Sequence, residues 1–134
     1  MTDTATRSAV GIVEDGYAAF LRGDIPALLA LLDPQVSWTE AEGSAYAGTF
    51  VGHDALVQGV FLPLGEDWES FTPVPAEFFH CGGTVIAVGA FEGTHRSTGA
   101  SMTSRFAHLF RLRDGRIVEF ESINDTYTVR AAMT

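Results

Sequence analysis

The stretch that most constrains the fold lies late in the chain. Met102, Ser104, Phe106, His108, Phe110 and Leu112 alternate with Thr103, Arg105, Ala107, Leu109 and Arg111. Successive strand side chains point to opposite faces, so this period of two describes a long, half-buried strand with an aromatic face and a mixed one. Arg113-Asp114-Gly115 closes it as a hairpin turn, and a final strand is predicted from Arg116 to about Tyr127. Upstream, Ser97-Thr98-Gly99 and Cys81-Gly82-Gly83 read as turns around a strand from Thr84 to about Thr94. Glu77 to His80 is a further strand, and the prolines before it, Pro73 and Pro75, suit a sheet edge.

The first half has a different period. Val10, Val13, Tyr17, Phe20 and Leu21 are spaced for one face of a helix over Ser8 to Arg22, with Gly23 as its stop. Asp24 caps a second, short helix with Pro26 in its first turn, ending at Asp33-Pro34. HDALVQGVFLPL, from His53, predicts a third helix cut off at Pro63. Helices first and antiparallel strands later predict one α+β domain spanning 1–134, with an ordered core of about 8–127 and the helices covering one face of a curved sheet.

Between the halves lies VSWTEAEGSAYAG, residues 36–48. Read as a strand, it sends Glu40 and Glu42 to the same face as Val36 and Trp38. Two readings of Glu40 stand: a solvated glutamate at a sheet end, or a carboxyl whose burial raises its pKa into the working range of a general base. Glu42, about 6.8 Å further along such a strand, either raises that pKa further by its charge or faces water. His108 sits among apolar neighbours on its strand face and needs a hydrogen-bond partner there, as a core residue or as a site residue.

Composition removes several classes of function. With 8 basic and 17 acidic residues the formal charge is -9, which disfavours nucleic acid and anionic membrane surfaces as partners. Every basic residue is an arginine, so lysine Schiff-base chemistry is excluded. Cys81 is the only cysteine and reads as a small buried turn residue in a reducing compartment. His53, His80 and His95 form no metal-ligand spacing, so no metal is expected, and separately no cofactor is implied. The segment MTDTATRSAV carries no signal-peptide core, and no run of 18 apolar residues occurs, which predicts a cytoplasmic protein.

Three segments, GYAAFLRGDIPALLALLDPQVSWTE, GTFVGHDAL and FAHLFRLRDGRIVEFESIND, resemble the SnoaL-like branch of the nuclear transport factor 2-like superfamily. Ketosteroid isomerase and SnoaL-type polyketide cyclases are relatives. The resemblance implies a cone: a curved mixed sheet wrapped around three helices from the N-terminal half, enclosing an apolar cavity, and commonly dimerising through its outer face. It places the isomerase base position on Glu40 and the oxyanion-donor position on His108. The isomerase tyrosine falls on Gly16, and Tyr17, one position on, is expected to point elsewhere. Limonene-type epoxide hydrolysis is set aside, because His108 replaces a carboxylate it needs. An aspartate near the end of the last strand in such sequences matches Asp125, although strand parity from Phe120 sends Ser122 and Asn124 to the cavity instead.

The sequence thus predicts a homodimer that binds a small apolar or aromatic molecule, with Glu40, His108 and Asp125 as catalytic candidates. Tyr17, Trp38, Glu42, Phe61, Trp68, Phe79, Phe106, Phe110, Phe120 and Asn124 are the candidate pocket lining. The predicted chemistry is cofactor-independent proton abstraction next to a carbonyl, as in an isomerase or cyclase. The alternative is a protein that uses the same cavity only to bind or to dimerise.

Overall fold

A computed structural model describes residues 8–134. The segment 1–7, on which most of the N-terminal signal reading rests, lies outside the described residues. Ser8 caps α1 (Ala9–Leu21) by accepting the Gly11 N–H at 2.9 Å, and the helix buries Ile12, Val13, Tyr17 and Ala19. Gly23 ends it with φ 71°, a left-handed value that glycine adopts without strain. Asp24 then caps α2 (Ile25–Leu31) through the Ala27 N–H.

β1 (Leu32–Glu40) begins four residues before the expected Val36, so Asp33-Pro34 lies inside an irregular strand start rather than at a helix end. β2 (Gly48–Val51) pairs antiparallel with it. The third helix departs most from expectation. It runs as α3 (His53–Leu56), a π-helical turn (Val57–Phe61) and α4 (Leu62–Asp67), straight through Pro63. The wider turn shifts the bonding register, with the Leu62 N–H reaching the Val57 carbonyl, so the helix passes a residue that has no N–H to give.

β3 (Trp68–Cys81), β4 (Thr84–His95), β5 (Ser101–Arg113) and β6 (Arg116–Asn124) complete a curved, unclosed six-stranded sheet ordered β2-β1-β6-β5-β4-β3. β1 and β6 run parallel and the other neighbours antiparallel. β3 starts well before Glu77 and occupies an edge, where Pro73 and Pro75 withhold no ladder bond that a central strand needs. β6 stops at Asn124, short of the expected Tyr127, because Asp125 caps a fourth helical segment, α5 (Thr126–Ala132), that strand periodicity did not predict. Val129 and Ala132 bury against the core.

The core lies between the helices and the sheet's concave face, where Trp38, Phe106, Phe110, Phe120 and Ile117 meet Val13, Leu56 and Val60. Each side chain of this size, fully buried, contributes about 1.5–3 kcal/mol. No helix among the described residues is long and apolar enough to cross a membrane.

Candidate active site

Three adjacent strands, β1, β6 and β5, set the polar groups of the concave face in a row. Trp38 pairs with Phe120 and Thr39 with Glu121, so the next step of that register brings Glu40 beside Ser122; across β6, Ser122 pairs with His108. Glu40 and His108 therefore stand two strand spacings apart, roughly 9.5 Å at the backbone. Both line one pocket of about 90 Å³, whose walls include Phe61, Leu64, Phe110 and Val129.

His108 is 4% exposed and lies flat on Phe106, with ring centroids 3.9 Å apart. Its Nδ1 is 2.7 Å from the Tyr17 hydroxyl, while Nε2 has no partner within the protein. If Nδ1 carried the proton, both the Tyr17 O–H and the Nε2 lone pair would lack partners. With Tyr17 donating to Nδ1, only the Nε2–H is unmet, so this tautomer leaves fewer buried groups unsatisfied. Burial pushes the imidazole down to about 3, so it is neutral at physiological pH. The same burial pushes the Tyr17 phenol well above its usual range, which keeps its proton in place to donate. The result is a neutral N–H donor.

Glu40 is partly buried and accepts the Trp38 indole N–H at 2.7 Å. Burial raises its carboxyl from 4.5 to about 7, and the indole N–H, which favours the carboxylate, offsets only part of that rise. Trp38 itself stacks on Phe120 at 3.8 Å, and Phe120 meets the edge of His108. A carboxyl that exchanges its proton near neutrality and a neutral donor thus share one apolar pocket. Among the described residues no cluster of His, Cys, Asp or Glu gathers as a metal site.

Residues 13–120 match the family model of the SnoaL-like domain. The chain belongs to this family. An NTF2-like protein from Burkholderia thailandensis is similar at 42% identity and TM-score 0.91, over 96% of this chain and 99% of that one. An NTF2-like protein of unknown function from Burkholderia pseudomallei is 30% identical with TM-score 0.89, over 96% and 99%. TerC, co-crystallised with polyporic acid, is 26% identical with TM-score 0.86, over 93% and 97%. No curated protein matches the chain.

The SnoaL-like fold brings Tyr17, Trp38, Phe61, Phe110, Phe120 and Asn124 to the same pocket as Glu40 and His108. Tyr17 does not point elsewhere: it is one of the pocket residues and holds the His108 ring. Phe106 backs the imidazole rather than lining the pocket. Trp68, also expected to line the pocket, is instead buried in the core and donates to the Tyr46 hydroxyl at 3.0 Å.

Three expected site residues lie elsewhere. β1 ends at Glu40, so Glu42 falls in an exposed turn and no longer shares that face. Phe79 is 52% exposed near the far end of edge strand β3. Asp125 accepts the Thr128 N–H and hydroxyl as the cap of α5, bonds that hold its carboxyl below the usual range; its side chain faces solvent. Cys81 is likewise exposed rather than buried. Periodicity missed Tyr46, which lines the pocket and donates to Asp67 at 2.7 Å. It sits in the irregular segment between β1 and β2, where no repeat marks an inward side chain.

Proposed function

We propose that this SnoaL-like protein is a cofactor-independent enzyme that abstracts a proton next to a carbonyl in a small apolar or aromatic substrate. The Tyr17–His108 hydrogen bond carries the reading, because it leaves a neutral Nε2–H in an apolar pocket that also contains a raised carboxyl. Ionised Glu40 takes the proton from carbon, the C–H electrons form the enolate, and Nε2–H stabilises the negative oxygen as charge develops. Glu40 then returns the proton to another carbon in isomerisation. In cyclisation the enolate carbon instead attacks a second carbonyl, and the proton goes to the new alkoxide. TerC, crystallised with polyporic acid, offers a relative in which a small organic molecule accompanies this fold.

The sheet's outer face presents Thr103, Arg105 and Arg111 to solvent and half-buries Ala107 and Leu109 between them. We read it as the dimer surface. Its mixed character fits an interface between folded subunits.

Exchange of the acidic C–H in heavy water tests the catalytic reading without knowledge of the final product. Across a panel of apolar ketones, wild type should exchange at least one, and His108→Ala should slow that exchange by about 10². A ligand that binds in the pocket without exchange would make the protein a binder.

A further inference from the structure

Two buried polar atoms of the pocket residues have no partner within the protein: His108 Nε2 and Asn124 Oδ1. The Asn124 amide is fixed from its other end, where Nδ2 donates to the Ser122 hydroxyl at 3.2 Å, and Ser122 is 2% exposed. This leaves Oδ1 as an acceptor. The Tyr17 bond leaves Nε2–H as a donor.

The two groups are of opposite sense and sit diagonally across one strand pair. Phe106 pairs with Asn124 and His108 with Ser122, which sets His108 and Asn124 about 7–8 Å apart at the backbone on one face. A simple ketone meets only the donor and leaves the acceptor buried and unpaired. A ligand with a hydroxyl close to its carbonyl meets both.

We propose that Asn124 is a specificity-determining residue, and that the pocket selects carbonyl compounds carrying a hydroxyl on the carbon next to the carbonyl or one carbon further. The proposal rests on the carbonyl-ligand reading above and adds a second polar function to the substrate. Its sign is distinctive. In an otherwise apolar pocket an added hydroxyl weakens binding, because it gives up water and gains nothing. Where a buried acceptor awaits it, the ligand lacking the hydroxyl is the one penalised.

The test compares 1-indanone with 2-hydroxy-1-indanone and 3-hydroxy-1-indanone, by calorimetric dissociation constants and by C–H exchange in heavy water. At least one hydroxy compound should bind wild type about ten- to a hundredfold more tightly than 1-indanone. Asn124→Leu should abolish or invert that ratio, with Asn124→Ala serving if the leucine does not fold. Asn124→Asp keeps an acceptor oxygen and should retain the preference. Equal or weaker binding of both hydroxy compounds, or a preference that survives Asn124→Leu, overturns the proposal. If 1-indanone binds and exchanges without any hydroxyl preference, this inference alone fails. If none of the three binds, it falls together with the carbonyl-ligand reading.

Discussion

Replacing Glu40 by glutamine should stabilise the protein in a pH-dependent way. Burial raises the carboxyl from 4.5 to about 7, so between these values the folded protein holds a proton that the unfolded chain releases. The stability linked to that proton is full below 4.5 and is lost as pH rises through about 7. At about 1.4 kcal/mol per pH unit of displacement, the folded state at pH 8 is weakened by about 3 kcal/mol relative to pH 4. Glu40→Gln removes the charge and keeps an oxygen to accept the Trp38 N–H. The variant should match wild type near pH 4 and exceed it by up to about 3 kcal/mol at pH 8. For a domain of this size that is on the order of 10 °C in melting temperature. Thermal unfolding of both proteins from pH 4 to 9 reads the difference directly. Parallel curves across that range would refute the claim that Glu40 is forced to ionise in an apolar setting.

Asp125→Ala should lower thermal stability through loss of the α5 cap and leave turnover unchanged, whereas a fall in turnover would restore Asp125 as a catalytic residue. Arg96 donates to the carbonyls of Gly65, Glu66 and Trp68 where α4 passes into β3, so Arg96→Ala should cost about 1–2 kcal/mol in urea unfolding. Sedimentation at micromolar concentration should give a dimer, and Leu109→Arg on the outer face should shift it to monomer; a wild-type monomer would contradict the proposed interface.

The long strands were legible because one face of the sheet is buried. The alternation from Met102 to Leu112 gave β5 and put His108 on the aromatic face, and Pro73 and Pro75 marked the edge strand. The same rule misled where a regular element stopped. Parity carried β1 on to Glu42 and β6 on to Tyr127, but the chain turns after Glu40, and Asp125 starts a helix. Pro63 has the local chemistry of a helix stop, and only the π-helical turn before it explains why the helix continues. Of the site, strand parity indicated Glu40, Trp38 and Asn124. Tyr17 and His108 are 91 positions apart, and their hydrogen bond depends on how α1 lies over β5, which no local pattern encodes. The exposed Phe79 shows the converse, since aromatic content alone says nothing about which end of an edge strand reaches the pocket.

The central claim is that Glu40, poised near neutrality, removes a proton from carbon. Its most direct test is the pH dependence of C–H exchange by wild type and Glu40→Gln, with the best ketone from the panel at low substrate concentration. Wild-type kcat/KM for exchange should climb with pH and level off above about 7, as the carboxyl becomes the free base. Glu40→Gln should exchange slower by about 10² or more and lose that inflection. A Glu40→Gln variant that keeps the wild-type rate and profile would contradict the account.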